Sequence, residues 1–164
     1  MRTVPGEDFD YEELAGELVA LLGRERDWLA NLANAAALLY DRLPDLNWAG
    51  FYLYRGGELV VGPFQGKPAC TRIQPGRGVC GTALLRRETI VVPDVHQFPG
   101  HIACDPASRS EVVIPILVNG KPVGVLDLDS PRRERFGPAD ARGLERFVET
   151  LIPLVNWERA LECW

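Results

Sequence analysis

Residues 110–131 read SEVVIPILVNGKPVGVLDLDSP, two strongly apolar runs divided by a single Asn119-Gly120 pair. Asn-Gly between such runs is a strong hairpin signal, because a tight hairpin turn needs φ > 0 and these two residues tolerate it. The chain therefore carries an antiparallel strand pair late in its length. The hydrophobic content of VGVLDLDSP marks its middle as a central strand with a covered face. Within it Asp127 and Asp129 are two positions apart, so both point to one side while Leu126 and Leu128 point to the other. A lone Asp in a strand usually meets water at an edge. Carboxylates on a covered face instead need partners, such as a ligand ammonium or an oxygen that they can protonate.

The rest of the chain supplies helices first and strands second. Leu14, Leu18, Leu21 and Leu22 recur at three- and four-residue steps and predict a helix that Gly23 ends. A second helix is predicted over residues 25–43, with Trp28, Leu32, Ala35, Leu38 and Leu39 as its buried stripe and Pro44 as its stop. From Asn47 the period changes to two. NWAGFYLYR, a Gly-Gly turn and ELVVGPFQG form a hairpin, ACTRIQ a third short strand, residues 79–87 a short helix, and residues 89–92 a fourth strand. After PDVHQFPGHIACDPASRS, a stretch with no period, comes the strand pair. The last helix is predicted over residues 138–158 with a kink at Pro153. Unpatterned loops of that length in a compact domain are usually functional or disordered.

The chain has 164 residues, enough for one ordinary core, and residues 1–164 are expected to form a single domain. A net charge of −5 with only two lysines, Lys67 and Lys121, argues against nucleic acid and anionic membrane as partners. The N-terminus lacks the apolar core of a signal peptide, and no apolar run approaches the ~20 residues a bilayer span needs, so a cytoplasmic location is expected. Four cysteines in a reducing compartment point to reactive or metal-binding thiols rather than a structural disulfide framework.

Three of those cysteines and both histidines lie between Gly62 and Asp129. Any one cysteine, read alone, is a small buried hydrophobe. Cys104 resists that reading, because Asp105-Pro106 follows it in a loop punctuated by glycine and proline. Cys80 falls in the first turn of the short helix, where the helix dipole would lower a thiol pKa, although close packing beside glycine explains it equally well. Structural zinc ligands come in pairs such as C-x₂₋₄-C, whereas no two cysteines here are closer than ten positions, so the spacing disfavours metal. His96 and His101 are read as loop or orienting residues. Thiols grouped with carboxylates suggest redox chemistry on a sulfur–oxygen bond: a thiolate attacks the sulfur and a carboxylic acid protonates the departing oxygen.

Two helices, six short strands and a closing helix describe an α+β sandwich with a mainly antiparallel sheet. Over residues 14–155 this order, with NWAGFYLY, GPFQGKPAC, GRGVCG, the Cys-Asp of the long loop, SEVVIPI and GVLDLDSP, resembles a GAF domain and specifically the free methionine-(R)-sulfoxide reductases. The resemblance implies a GAF-like six-stranded sheet, N- and C-terminal helices on one face, and loops and the short helix on the other. It implies reduction of free L-methionine-(R)-sulfoxide, with Cys104 as nucleophile and Cys70 resolving its sulfenic acid as a disulfide. Cys80 matches a further family cysteine, a reserve resolving thiol or a relay toward a reductant, and Cys163 matches nothing.

It also adds Glu111 to Asp127 and Asp129, and sets Trp48 and Tyr52 at the methyl end of the pocket. A thioredoxin-like reductant, a homodimer and no metal or organic cofactor are implied. A non-catalytic, small-molecule-sensing GAF module is the alternative, and GVLDLDSP alone would fit it. For Glu111 to join the aspartates, strand register matters. A strict two-residue turn continued as a regular ladder sets Glu111 opposite Leu128, facing away. A longer loop or a bulge shifts the pleat by one. A type I turn through Val118-Asn119 with Gly120 as a G1 bulge is the expected device.

Overall fold

Two aspartate caps start the helical layer. Asp10 accepts from the Glu13 amide (2.9 Å) at the head of α1 (Tyr11–Leu22), and Asp27 accepts from the Ala30 amide (2.9 Å) at the head of α2 (Trp28–Arg42). Each satisfies an amide that the first helical turn leaves without a partner. The structure is a computed structural model and describes residues 9–101 and 104–162. After α2 come β1 (Trp48–Arg55), β2 (Glu58–Gly66), β3 (Arg72–Ile73), α3 (Gly78–Arg86) and β4 (Ile90–Val92). A 3₁₀ turn (Val95–Gln97), β5 (Ser110–Val118), β6 (Lys121–Ser130), α4 (Pro138–Leu151) and α5 (Trp157–Ala160) complete the order.

Among the described residues the strands form one six-stranded sheet in the order β3-β2-β1-β6-β5-β4, antiparallel throughout. Its alternation divides two cores. Ala49, Phe51, Leu53, Val112, Ile114, Leu126 and Leu128 pack beneath α1, α2 and α4. Trp48, Tyr52, Val113 and Val125 pack on the opposite face with Val79, Cys80, Ala83 and Leu84 of α3. Helices on one face, loops and a short helix on the other, is the layering expected from the sequence.

The register of the central hairpin was reached by another device than the one expected. Asn119 (φ +52°) and Gly120 (φ +79°) make a true two-residue turn, with Val118 opposite Lys121 and Leu117 opposite Pro122. The ladder then slips, so that Ile116 pairs with Gly124 and Glu111 with Asp129. Val123 is the extra residue, and the shift is a bulge within β6 rather than a G1 bulge at the turn. β1 explains its position. From Gly124 onward β6 is paired on its other edge too, Leu53 with Gly124 and Trp48 with Asp129, so two neighbours fix its register beyond that point.

Other boundaries differ as well. Leu21 lies 48% exposed, and α1 buries Leu14, Ala15, Leu18 and Leu22 instead. Trp28 and Leu38 are only partly buried. The third strand shrinks to Arg72–Ile73, and the last helix breaks rather than kinks. It ends at Leu151, Pro153 sits in a 3₁₀ turn (Ile152–Leu154), and Val155 is extended (φ −124°) before α5. Proline lacks the amide an α-helix would use there, so the chain restarts on the Asn156 cap.

Candidate active site

The face of the sheet away from α1, α2 and α4 carries the acids in two adjacent cross-strand rows. Trp48 of β1, Asp129 of β6 and Glu111 of β5 form one row; Gly50, Asp127 and Val113 form the next. One slip of register beyond Val123 is what sets Glu111 on this side. The Glu111 carboxyl lies within hydrogen-bonding reach of both aspartates, an arrangement that needs a shared proton. Glu111 and Asp127 are buried and Asp129 is partly buried. Burial pushes all three carboxyls well above the usual carboxylate range; neighbouring charge adds to it, from Asp129 on Glu111, from Glu111 on Asp127 and from Asp127 on Asp129.

α3 roofs this floor. Gly76 (φ +84°) and Gly78 (φ +62°) turn the chain into the helix, and the Gly76 amide donates to the Gly81 carbonyl (2.8 Å). A Cβ on Gly81 would stand 2.5 Å from the Gln74 carbonyl oxygen, so glycine is what allows the helix to seat. The seat delivers Cys80, buried and in contact with Asp127. Its thiol is pushed well above the usual range by burial and then by Asp127, Glu111 and Asp129. The dipole reading is thereby corrected: the helix N-terminus is present, but desolvation and carboxylates outweigh it.

Cys104 closes the mouth. It is exposed, and it is bonded to Cys70, whose Cα is 5.9 Å away across a sequence separation of 34. This is within the roughly 4.4–6.8 Å that a disulfide spans. Both partners are held by their neighbours. The Tyr52 hydroxyl donates to the Cys70 carbonyl (3.2 Å), and the Trp48 indole donates to the Lys67 carbonyl (3.2 Å) while stacking on Phe64 with ring centroids 5.0 Å apart. On the other side, Asn47 Nδ2 donates to Asp105 Oδ2 (3.0 Å) and Ser108 Oγ (2.9 Å), and the Asp105 carboxylate also caps the Ala107 amide (2.9 Å).

Trp48, Tyr52, Cys80, Cys104, Glu111, Asp127 and Asp129 thus line one cavity, with Cys70 joined to it through the disulfide. His101 lines it too, Nε2 lying 3.7 Å from Glu111 Oε1, and burial holds its pKa below the ordinary value. His96 is exposed on the 3₁₀ turn and takes no part in the lining. Cys163 lies outside the described residues. The sequence does not single out Asn47, Ser108 or Arg77, which also border the cavity or clamp its loop. Asn47 opens the NWAGFYLY motif, but nothing local signals a partner 58 positions away. Cys80, Glu111 and Asp127 also bring one sulfur and two oxygens within 4.8 Å of one another, a donor set able to hold a metal ion.

Comparison with known proteins agrees with this geometry. The GAF domain family model matches residues 17–152. The chain is 56% identical over 144 residues to Protein YtsP of Bacillus subtilis, covering 87% of this chain and 88% of that protein. It is 53% identical over 141 residues to the free methionine-R-sulfoxide reductase of Escherichia coli, covering 86% of each. The X-ray structure of a free methionine-R-sulfoxide reductase from Neisseria meningitidis, in complex with its substrate, superposes with a TM-score of 0.87 at 41% identity, over 98% of this chain and 99% of that one. A match across most of the chain to the family model and to these relatives means that the chain belongs to the GAF domain family and, within it, to the free methionine-R-sulfoxide reductases.

Proposed function

We propose that this chain is a single catalytic unit that reduces free L-methionine-(R)-sulfoxide to methionine. The observation that carries the reading is the placement of an exposed, disulfide-bonded Cys104 at the mouth of a cavity floored by three carboxyls, two of them buried. In the reduced protein the Cys104 thiolate attacks the sulfoxide sulfur. The oxygen takes a proton from the Glu111–Asp127–Asp129 group, whose pKa values burial and mutual charge raise, which favours a proton held on the group. Methionine leaves and Cys104 becomes a sulfenic acid. The Cys70 thiol attacks it, water departs, and the disulfide forms.

Cys80 is a poor resolving thiol, because burial and adjacent carboxylates keep it protonated. Trp48 and Tyr52 offer an apolar wall to the methyl end. The acids offer a partner to the α-ammonium, which a peptide bond would remove, and that difference selects the free amino acid. A thioredoxin-like dithiol reopens the exposed disulfide by exchange, with no metal or organic cofactor in the cycle. Among the described residues no helix is long and apolar enough to cross a membrane, which is compatible with a cytoplasmic site of action. A homodimer is proposed on the family resemblance alone. The test is to incubate the protein and dithiothreitol with each methionine sulfoxide epimer, free and N-acetylated, and to follow methionine release. Release from the free R epimer alone is expected; release from neither free epimer would sink the proposal.

A further inference from the structure

We propose that Cys80, Glu111 and Asp127 form a binding site for a thiophilic divalent cation of the Zn²⁺ class, and that an ion held there shuts the substrate out. The donors come from three rigid elements, α3, β5 and β6, and all three residues are buried. Their ligand atoms lie within 4.8 Å of one another. Tetrahedral Zn²⁺ with bonds of about 2.0 Å to oxygen and 2.3 Å to sulfur sets its donors roughly 3.3–3.5 Å apart, so a closing of at most about 1.5 Å completes the cage. An independent observation points the same way. Asp127 faces Glu111 and Cys80 and contributes an oxygen to the cluster, yet its Oδ1 is buried and has no hydrogen-bond partner among the described residues. An acceptor left in that state waits for a ligand.

The donor set decides which ion. One sulfur and two carboxylate oxygens suit Zn²⁺ or Co²⁺, whereas Mg²⁺ and Ca²⁺ want six or more oxygens. The spacing between cysteines disfavours a structural zinc site, and it still does, because two of the three ligands here are acids contributed by strands. The fourth position faces the cavity that His101 and Cys104 also line. Coordination expels the Cys80 thiol proton, and any proton shared by Glu111 and Asp127, to solvent; no electron moves. The ion takes no part in turnover. Its blocking effect rests on the reductase reading above, whereas its binding does not.

In a Cys163→Ser background, oxidised so that Cys70 and Cys104 are tied to each other, Cys80 is the sole thiol. Titrated with Co²⁺, this protein is expected to develop a sulfur-to-cobalt charge-transfer band that Zn²⁺ abolishes and millimolar Mg²⁺ leaves untouched. Cys80→Ser should remove the band. Asp127→Asn should weaken Co²⁺ binding by about tenfold or more, with Glu111→Gln as a second reading of the same site should the first variant not fold. No band, a band surviving Cys80→Ser, or carboxamide variants that titrate like their parent would each overturn the site. Titrated in the presence of increasing methionine sulfoxide, the same protein is expected to need proportionally more Co²⁺ to reach the half-developed band. If the band forms and its midpoint does not move with sulfoxide, the cation site stands and the exclusion of substrate by the ion falls.

Discussion

Replacing Asp127 by asparagine should make the protein more stable while stopping turnover. Asp127 is buried against the Glu111 carboxyl, and a hydrogen bond newly donated to such a group contributes about 1–3 kcal/mol. Burial followed by that neighbour's charge raises the Asp127 pKa well above the usual range. Asparagine keeps the shape, removes the charge and supplies an amide N–H to Glu111. The expected gain is about 1–3 kcal/mol, which for a chain of this size is about 2–12 °C in Tm. Its pH dependence has a definite sign. A carboxyl with a raised folded-state pKa binds more protons folded than unfolded, so the parent loses stability as pH climbs from the ordinary carboxylate range through the folded pKa. The variant has no such loss at this position. Thermal unfolding of both proteins, oxidised and substrate-free, followed in steps from pH 4.5 to 8.5 should show the gap widening as pH leaves the ordinary carboxylate range. A variant that melts below its parent at pH 8.5, or a gap that narrows as pH rises, would refute the reasoning.

Cys104→Ser should abolish methionine release, while Cys80→Ser should still form the Cys70–Cys104 disulfide after exposure to substrate, because that bridge closes without it. Methionine release reads the first and peptide mapping of the oxidised protein the second, and a fully active Cys104→Ser enzyme would end the mechanism. Gly81→Ala should cost about 1–3 kcal/mol in chemical denaturation, because its Cβ would stand 2.5 Å from the Gln74 carbonyl oxygen and push α3 off its seat. A change within experimental error would mean that the helix shifts freely.

Elements with their own period were legible before any coordinate. The Leu32, Ala35 and Leu39 stripe of α2, the Asn-Gly turn and the alternation of Asp127 and Asp129 with Leu126 and Leu128 each follow from a local pattern. What was not legible depends on partners distant in the chain. Val123 bulges because β1 and β5 both grip β6 beyond it, and no residue near Val123 announces that. Cys80 could be read either as a dipole-activated thiol or as a small residue packed beside glycine, because its helix is visible in GRGVCG while the acids of β5 and β6 that outweigh the dipole are not. Leu21 fits the helical period as well as Leu22 does, and only the positions of α2 and α4 decide which of the two is covered. Asn47 is a polar residue before a strand until the loop after Cys104 folds back onto it.

The bulge at Val123 has a practical reach for protein engineering. On its far side β6 is locked between two strands, whereas on its near side Leu117, Val118, Lys121 and Pro122 pair across the turn, and the exposed tip of Asn119 and Gly120 is tied to the body by one exposed hydrogen bond, from Arg87 to the Gly120 carbonyl (3.1 Å). The tip is therefore a spliceable handle. A fluorescent or affinity peptide inserted between Asn119 and Gly120 can lengthen the loop without transmitting a change of frame to Glu111, because its partner Asp129 takes its place from β1. The same insertion between Gly124 and Asp127 would have no slack to absorb it and would scramble the floor of the cavity.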